Sequence, residues 1–234
     1  MITAVFFDLD GTLLPMDQDV FIEAYIGGMC KKMAAHGYDP KKLAKAVWVG
    51  TGAMTANDGS VTNDEIFWKA FNSAYGQDCR KDEHLFNEFY LNEFQLVARS
   101  CGFDQRAKEI IELLKDKGIR RVLATNPLFP AIATHSRTRW AGLQPEDFEF
   151  ITTYENSSFC KPNPDYYREI LDKIKLKPEE CLMVGNDVTE DMSAKQAGLK
   201  VFLLTDCLIN KNCEDIAQFP RGSFPELLDY LRRL

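Results

Sequence analysis

The sequence predicts an α/β protein, a parallel sheet covered on both faces by helices, with a separate helical region inserted after the first strand. Three observations predict it. From Cys101 onward, short apolar runs alternate with amphipathic stretches, the pattern of parallel strands joined by helical crossovers. Ala4 to Phe7 is a further apolar run of strand length, but it stands apart from the others. The stretch between, from about Asp17 to Ser100, carries helical stripes and almost no strand signal.

Taken in order, Ala4–Phe7 is the first strand, and Leu14-Pro15 leaves it. Val20, Ile22, Tyr25 and Ile26 begin a helix that Gly37 ends. Thr62 and Glu65 form a capping box before a stripe of Ile66, Phe67, Ala70, Phe71 and Ala74. A further helix spans about Asp82 to Val97, with Leu85, Phe86, Phe89, Tyr90 and Phe94. Gly50-Thr51-Gly52 and Asn57-Asp58-Gly59-Ser60 read as turns between these helices. Gln105 to Lys117 is helical and Gly118 closes it. Arg120 to Ala124 is a strand, Pro130 to Trp140 a helix, and Phe148 to Thr153 a third strand. Asn163-Pro164 pairs an N-cap with proline at the first helical position. Cys181 to Val184 is a strand, Thr189 caps a short helix closed by Gly198, and Val201 to Leu204 is the last clear strand. Ser223 and Glu226 form a second capping box.

Composition narrows the classes. A chain of 234 residues with 45% hydrophobic residues suits one large domain or two modest ones. A formal charge of -7 disfavours nucleic acid and anionic membranes as main partners. The N-terminus has no basic segment and reaches Asp8 too soon for a signal peptide, and no apolar run approaches membrane-spanning length. Seven cysteines, an odd number without a C-x-x-C pair, read as buried reduced thiols of a cytoplasmic protein. His36, His84 and His135 share no metal-ligand spacing.

The chemistry gathers where strands end. Asp8, Thr125 and Asp187 all follow apolar runs, and parallel sheets bind ligands at the carboxyl ends of their strands. Alternation puts Asp8 and Asp10 on one side, and Gly11 lets the chain turn sharply behind them. Two carboxylates this close repel, which a bound cation relieves. Hard oxygen ligands suit Mg2+. An isolated Asp-Gly turn with a capping hydroxyl has the same letters, so the rest of the chain must decide.

Asp8-Leu-Asp-Gly-Thr12 resembles the first motif of the haloacid-dehalogenase-like (HAD) hydrolases, most of which are phosphatases. Three later segments match the family in order: Thr125, Lys161 in Lys-Pro-Asn-Pro, and Gly185-Asn186-Asp187-Val-Thr-Glu-Asp191. The chain is identified as a member of the helical-cap branch, similar to phosphoglycolate phosphatases. That resemblance implies a Rossmann-like core over 1–15 and 101–234, with a helical cap over 16–100. The interval between Thr125 and Lys161 is too short for a second cap of the larger kind.

The resemblance further implies roles. Asp8 is the nucleophile and Asp10 the general acid/base, and both help hold Mg2+, Asp10 through its backbone carbonyl. The Thr125 hydroxyl and Asn126 N–H bind the phosphoryl group, and Lys161 balances the nucleophile's charge and binds the same group. The fourth motif departs from the commoner family form, which has aspartate directly after the glycine. Either Asn186 through its amide oxygen or Asp187 is then the metal ligand, with Asp187 preferred because a charged oxygen binds Mg2+ more strongly. Asp191 acts from behind the ligands or caps a helix.

The implied activity is Mg2+-dependent hydrolysis of a small phosphorylated metabolite through a phosphoaspartate. A phosphomutase shares nearly every residue named, and a non-catalytic binding module shares the fold. Asp10 argues against a dehalogenase, which needs no acid, and the length argues against a phosphoaspartate receiver. The inserted region, with the stretches at Gly50 and Asn57 as candidate contacts, is expected to select the substrate.

Overall fold

A computed structural model describes all residues, 1–234. Six parallel strands lie in the order β3-β2-β1-β4-β5-β6: β1 Ala4–Phe7, β2 Arg120–Leu123, β3 Phe150–Ile151, β4 Cys181–Gly185, β5 Lys200–Leu204 and β6 Arg221–Gly222. The first strand is central, with Ala4 in register with both Arg120 and Cys181. Its alternation serves two cores. Val5 and Phe7 face one side with α5 (Arg106–Asp116) and α8 (Phe224–Arg232), through Ile110, Leu114 and Leu227. Ala4 and Phe6 face the other with α7 (Pro164–Ile174), through Tyr166, Tyr167 and Ile170. All four β1 residues are buried, as an apolar run without polar alternation requires.

This strand order decides where chemistry can occur. β2, β1 and β4 are neighbours, so the residues that follow them, Thr125, Asp8 and Asn186, emerge side by side along one edge.

Between β1 and α5 the chain is helical throughout: α1 Gln18–Ala34, α2 Pro40–Thr55, α3 Asn63–Tyr75, α4 Glu83–Leu91 and a 3-10 segment Glu93–Ser100. Phe21, Tyr25, Met29 and Met33, four residues apart, form the buried stripe of α1. They pack with Trp68, Phe71, Phe86, Phe89 and Phe94 into an aromatic core. Each such side chain, fully buried, contributes about 1.5–3 kcal/mol. The core continues into α6 (Ala131–Trp140) through Ala133, with Phe129, Ile132 and Trp140 packed against it. The two connections to the insertion run together: Gly102 N–H donates to the Pro15 carbonyl at 2.7 Å, and Met16 pairs antiparallel with Cys101.

Several local expectations are corrected. Gly50-Thr51-Gly52 is no turn but part of α2. Gly50 is there because a Cβ would overlap the Phe67 ring, so the glycine lets α2 and α3 approach closely. The expected helix from Asp82 to Val97 breaks at Asn92, whose backbone leaves the helical region. The third strand keeps only Phe150 and Ile151, since a sheet-edge strand has one partner. Thr189 caps nothing; the Asp187 carboxylate accepts from the Thr189 and Glu190 N–H groups instead. Of the seven free cysteines only Cys79, Cys160 and Cys181 are buried, and Cys213 is exposed. Both capping boxes are present. No helix is long and apolar enough to cross a membrane.

Candidate active site

Asp8 leaves the sheet still tied to it, its N–H donating to the Val184 carbonyl at 2.9 Å. Its Oδ1 accepts from Lys161 Nζ at 2.8 Å. The same ammonium donates to Asp191 Oδ1 at 2.6 Å. Lys161 is enclosed, and burial alone would pull its pKa down. The carboxylates of Asp191 and Asp8 outweigh that, holding the ammonium charged well above the ordinary lysine value. A lysine therefore stands fixed beside the candidate nucleophile, oriented from behind by Asp191. Asp191 Oδ2 accepts from the Asp187 N–H at 2.9 Å, so this acid is not a helix cap. Gly185 makes the arrangement possible, because a Cβ there would overlap the Asp191 carboxylate.

Gly11, at φ +84°, turns the chain after Asp10, and its missing side chain makes room for Asn186. The Thr12 hydroxyl lies 2.9 Å from Asn186 Oδ1 and 3.3 Å from Asp8 Oδ2, joining the first and fourth motifs. Asn186 Nδ2 donates to the Cys207 carbonyl at 2.7 Å, which fixes the amide with its oxygen toward Thr12. Asp187 also lines the cleft, but one of its oxygens is committed to the two N–H groups of the following turn.

Thr125 is buried, and its carbonyl accepts from the Thr152 and Tyr166 hydroxyls at 2.6 and 2.8 Å. Asn126 uses its side chain twice. Its Oδ1 accepts from the Lys161 N–H at 3.2 Å, and its Nδ2 donates to Glu190 Oε2 at 3.0 Å. Burial, partly offset by Lys161, pushes the Glu190 carboxyl up to about 8.

The predicted residues are thus brought together. Asp8, Asp10, Thr125, Asn126, Asn186 and Asp187 line one cleft of about 140 Å³, with Lys161 immediately behind Asp8. Two participants had no clear signal. Glu190 lines the cleft, and its place inside the fourth motif was the only hint. Arg137, on α6, pairs with Asp10 Oδ2 although its guanidinium has no exposed surface. The Phe129 ring covers that guanidinium at 4.2 Å. Asp10 Oδ1 has no hydrogen-bond partner. Burial raises the Asp10 carboxyl above its ordinary value, against the pull of Arg137.

The oxygen donors suit a hard cation. Asp8, Asn186 and Asp187 line the same cleft. The Asp10 carbonyl accepts no hydrogen bond, leaving a backbone oxygen free at the same turn. No three acidic, histidine or cysteine side chains converge in metal-binding geometry, so an all-carboxylate cage is absent. Few protein ligands and several waters are the Mg2+ habit.

A second cavity, of about 120 Å³, adjoins the cleft inside the insertion. Of the stretches expected to contact substrate, only Thr51 lines it. Asn57 and Gly59 serve another purpose. Asn57 Nδ2 donates to Val61 O and Asn63 Oδ1, and Gly59 sits against the Phe159 ring.

The family description that matches residues 2–198 is that of the haloacid dehalogenase-like hydrolases. Phosphoglycolate phosphatase of Vibrio parahaemolyticus is 28% identical over 87% of this chain and 84% of its own. Pyrophosphatase PpaX of Bacillus pumilus is 24% identical over 85% of this chain and 81% of its own. Among solved structures, YfnB of Bacillus subtilis bound to magnesium superposes with a TM-score of 0.61 at 20% identity, covering 100% of this chain and 99% of that one.

Proposed function

The chain belongs to the haloacid dehalogenase-like hydrolase family, and on that premise we propose that it is a Mg2+-dependent phosphatase of a small phosphorylated metabolite, acting through a phosphoaspartate. The observation that carries this reading is the Lys161–Asp8 pair at 2.8 Å. It holds a carboxylate ready to attack and a cation ready to bind what it attacks. The relatives named for phosphoglycolate and pyrophosphate support the substrate class.

In this mechanism an Asp8 oxygen bonds to phosphorus as the phosphorus–oxygen bond to the alcohol breaks. Asp10 gives the departing oxygen its proton. A water then attacks the phosphoaspartate, Asp10 takes the water's proton, and inorganic phosphate leaves with Asp8 restored. Arg137 pairs with Asp10 Oδ2 and fixes the carboxyl at the wall of the cleft. Lys161, the Thr125 hydroxyl and the Asn126 N–H bind the equatorial oxygens. Asp8, the Asp10 carbonyl and Asn186 would hold Mg2+, with Asp187 completing the shell. Asn186 is favoured as the direct ligand over the aspartate preferred from charge alone because the Cys207 carbonyl fixes its amide with Oδ1 beside Thr12 and Asp8, whereas Asp187 Oδ1 is committed to the Thr189 and Glu190 N–H groups. The bound cation would offset the negative charge of the phosphoryl oxygens.

Residues 16–100 act as the cap in this reading, hinged where Pro15 meets Gly102. Closure excludes water and opening releases product. The test is release of inorganic phosphate from a panel of monoesters, with magnesium and in excess chelator. Absence of turnover on every monoester with magnesium present would refute the reading.

A further inference from the structure

The core residues grip only a phosphoryl group, so the alcohol it leaves must be chosen by what surrounds the cleft. The adjoining cavity of about 120 Å³ lies among α1, α2, α3 and α4, closed on the core side by residues 128–130. Ile22, Leu128 and Phe129 line both spaces, so the two meet at these side chains. Tyr25, Val47, Phe67, Phe71, Phe86 and Tyr90 form much of the wall. Trp48, 53% exposed, belongs to the same wall and marks its solvent side.

Charge narrows the occupant further. Neither space is lined by a lysine or arginine. Lys161 is paired with Asp8 and Asp191, and Arg137 with Asp10. The cleft carries Asp8, Asp10, Asp187, Glu190 and Asp191, and Glu83 lies on the cavity wall. A carboxylate or second phosphoryl group on the alcohol would enter an apolar space whose wall offers no lysine or arginine, an arrangement that burial penalises heavily. An uncharged apolar group instead gains from leaving water. Size agrees, since an apolar cavity of about 150 Å³ accepts benzene. Trp68 and Tyr154 both line this cavity and face each other through the indole N–H and the phenol, so the wall's few polar atoms are largely matched among themselves.

Resting on the phosphatase reading, we infer that the substrate is the phosphate monoester of an uncharged alcohol bearing one aromatic ring or an apolar group of that size. The substrate class therefore differs from the anionic ones for which the relatives are named.

The full chain with magnesium is assayed on benzyl phosphate, methyl phosphate, 2-phosphoglycolate and pyrophosphate. Benzyl phosphate should exceed each of the others in kcat/KM by about tenfold or more, the scale of discrimination an apolar pocket supplies. Val47→Phe, which fills the cavity, should lower the benzyl-to-methyl ratio by about tenfold. Binding of benzylphosphonate, followed by tryptophan fluorescence in the unaltered chain, should be tighter than that of methylphosphonate, and it needs no folded variant. A benzyl-to-methyl ratio near one, a preference for 2-phosphoglycolate or pyrophosphate, or equal phosphonate affinities overturns the inference while leaving the phosphatase reading intact. If no ester is turned over, methyl phosphate included, the phosphatase reading fails and this inference falls with it.

Discussion

Arg137 and Asp10 form an ion pair at the cleft's edge, the guanidinium wholly enclosed and the carboxylate 20% exposed. The cation cannot reach water, and each partner also keeps one buried atom unpartnered, Arg137 Nε and Asp10 Oδ1. Removing the cation therefore strands a buried charge. Arg137→Met should cost about 3–5 kcal/mol of stability, read from urea unfolding, and Arg137→Lys should recover part of it. A Met variant as stable as the parent would show that the pair contributes nothing.

Removal of the acid tests chemistry more than folding. Asp10→Asn should fold and lose about 10²–10⁴ in kcat, the usual worth of general acid/base catalysis. Asp8→Asn should lose turnover altogether and yield no acid-stable phosphoenzyme on rapid quenching. Wild-type turnover by Asp8→Asn would exclude the aspartyl route.

The fourth motif yields a separable result. Asn186→Ala should raise the magnesium concentration needed for half-maximal activity by about tenfold or more, the scale seen when a metal's surroundings are altered. Asp187→Ala should lose the cap on the Thr189 and Glu190 N–H groups as well, costing about 1 kcal/mol of stability. Excess chelator should abolish activity in the parent, and added magnesium should restore it. Full activity in chelator would remove the metal from the mechanism.

Lys161 is shared, so its partners should couple. Lys161→Met leaves Asp8 and Asp191 facing each other without their cation. Combining it with Asp191→Asn should cost less than the two changes summed, with a coupling of about 0.5–3 kcal/mol in a double-mutant cycle. Additivity would mean the two side chains act independently.

Much of this site was readable in the chain. Asp8, Thr125 and Asn186 each follow an apolar run, and strand ends in a parallel sheet converge by topology; Lys161, which precedes a proline turn, was legible only through the family resemblance. Gly11 was readable as well, because a glycine after paired acids implies a turn. Arg137 was not. It sits in Ala-Thr-His-Ser-Arg-Thr-Arg beside Arg139, which is exposed, and nothing local distinguishes an enclosed arginine from a solvated one. Gly50 misled for a related reason. Two glycines around a threonine suggest a turn, while the ring of Phe67 on a neighbouring helix is what requires one of them. In both cases the deciding neighbour is remote in sequence.

The aromatic core of the insertion passes into α6 through Ala133, and Trp140 Nε1 donates to Gln95 at 3.1 Å across the same junction. Phe129, at that junction, also covers Arg137 and walls the apolar cavity. The insertion is consequently not an interchangeable module. A cap grafted from a relative would meet a face on α6 shaped for different side chains and would shift Phe129 with it. Under the proposed function, the substrate pocket, the support of the acid and the cohesion of the insertion with the core share one ring, so a recombinant that exchanges the insertion without α6 should lose activity that exchanging both retains.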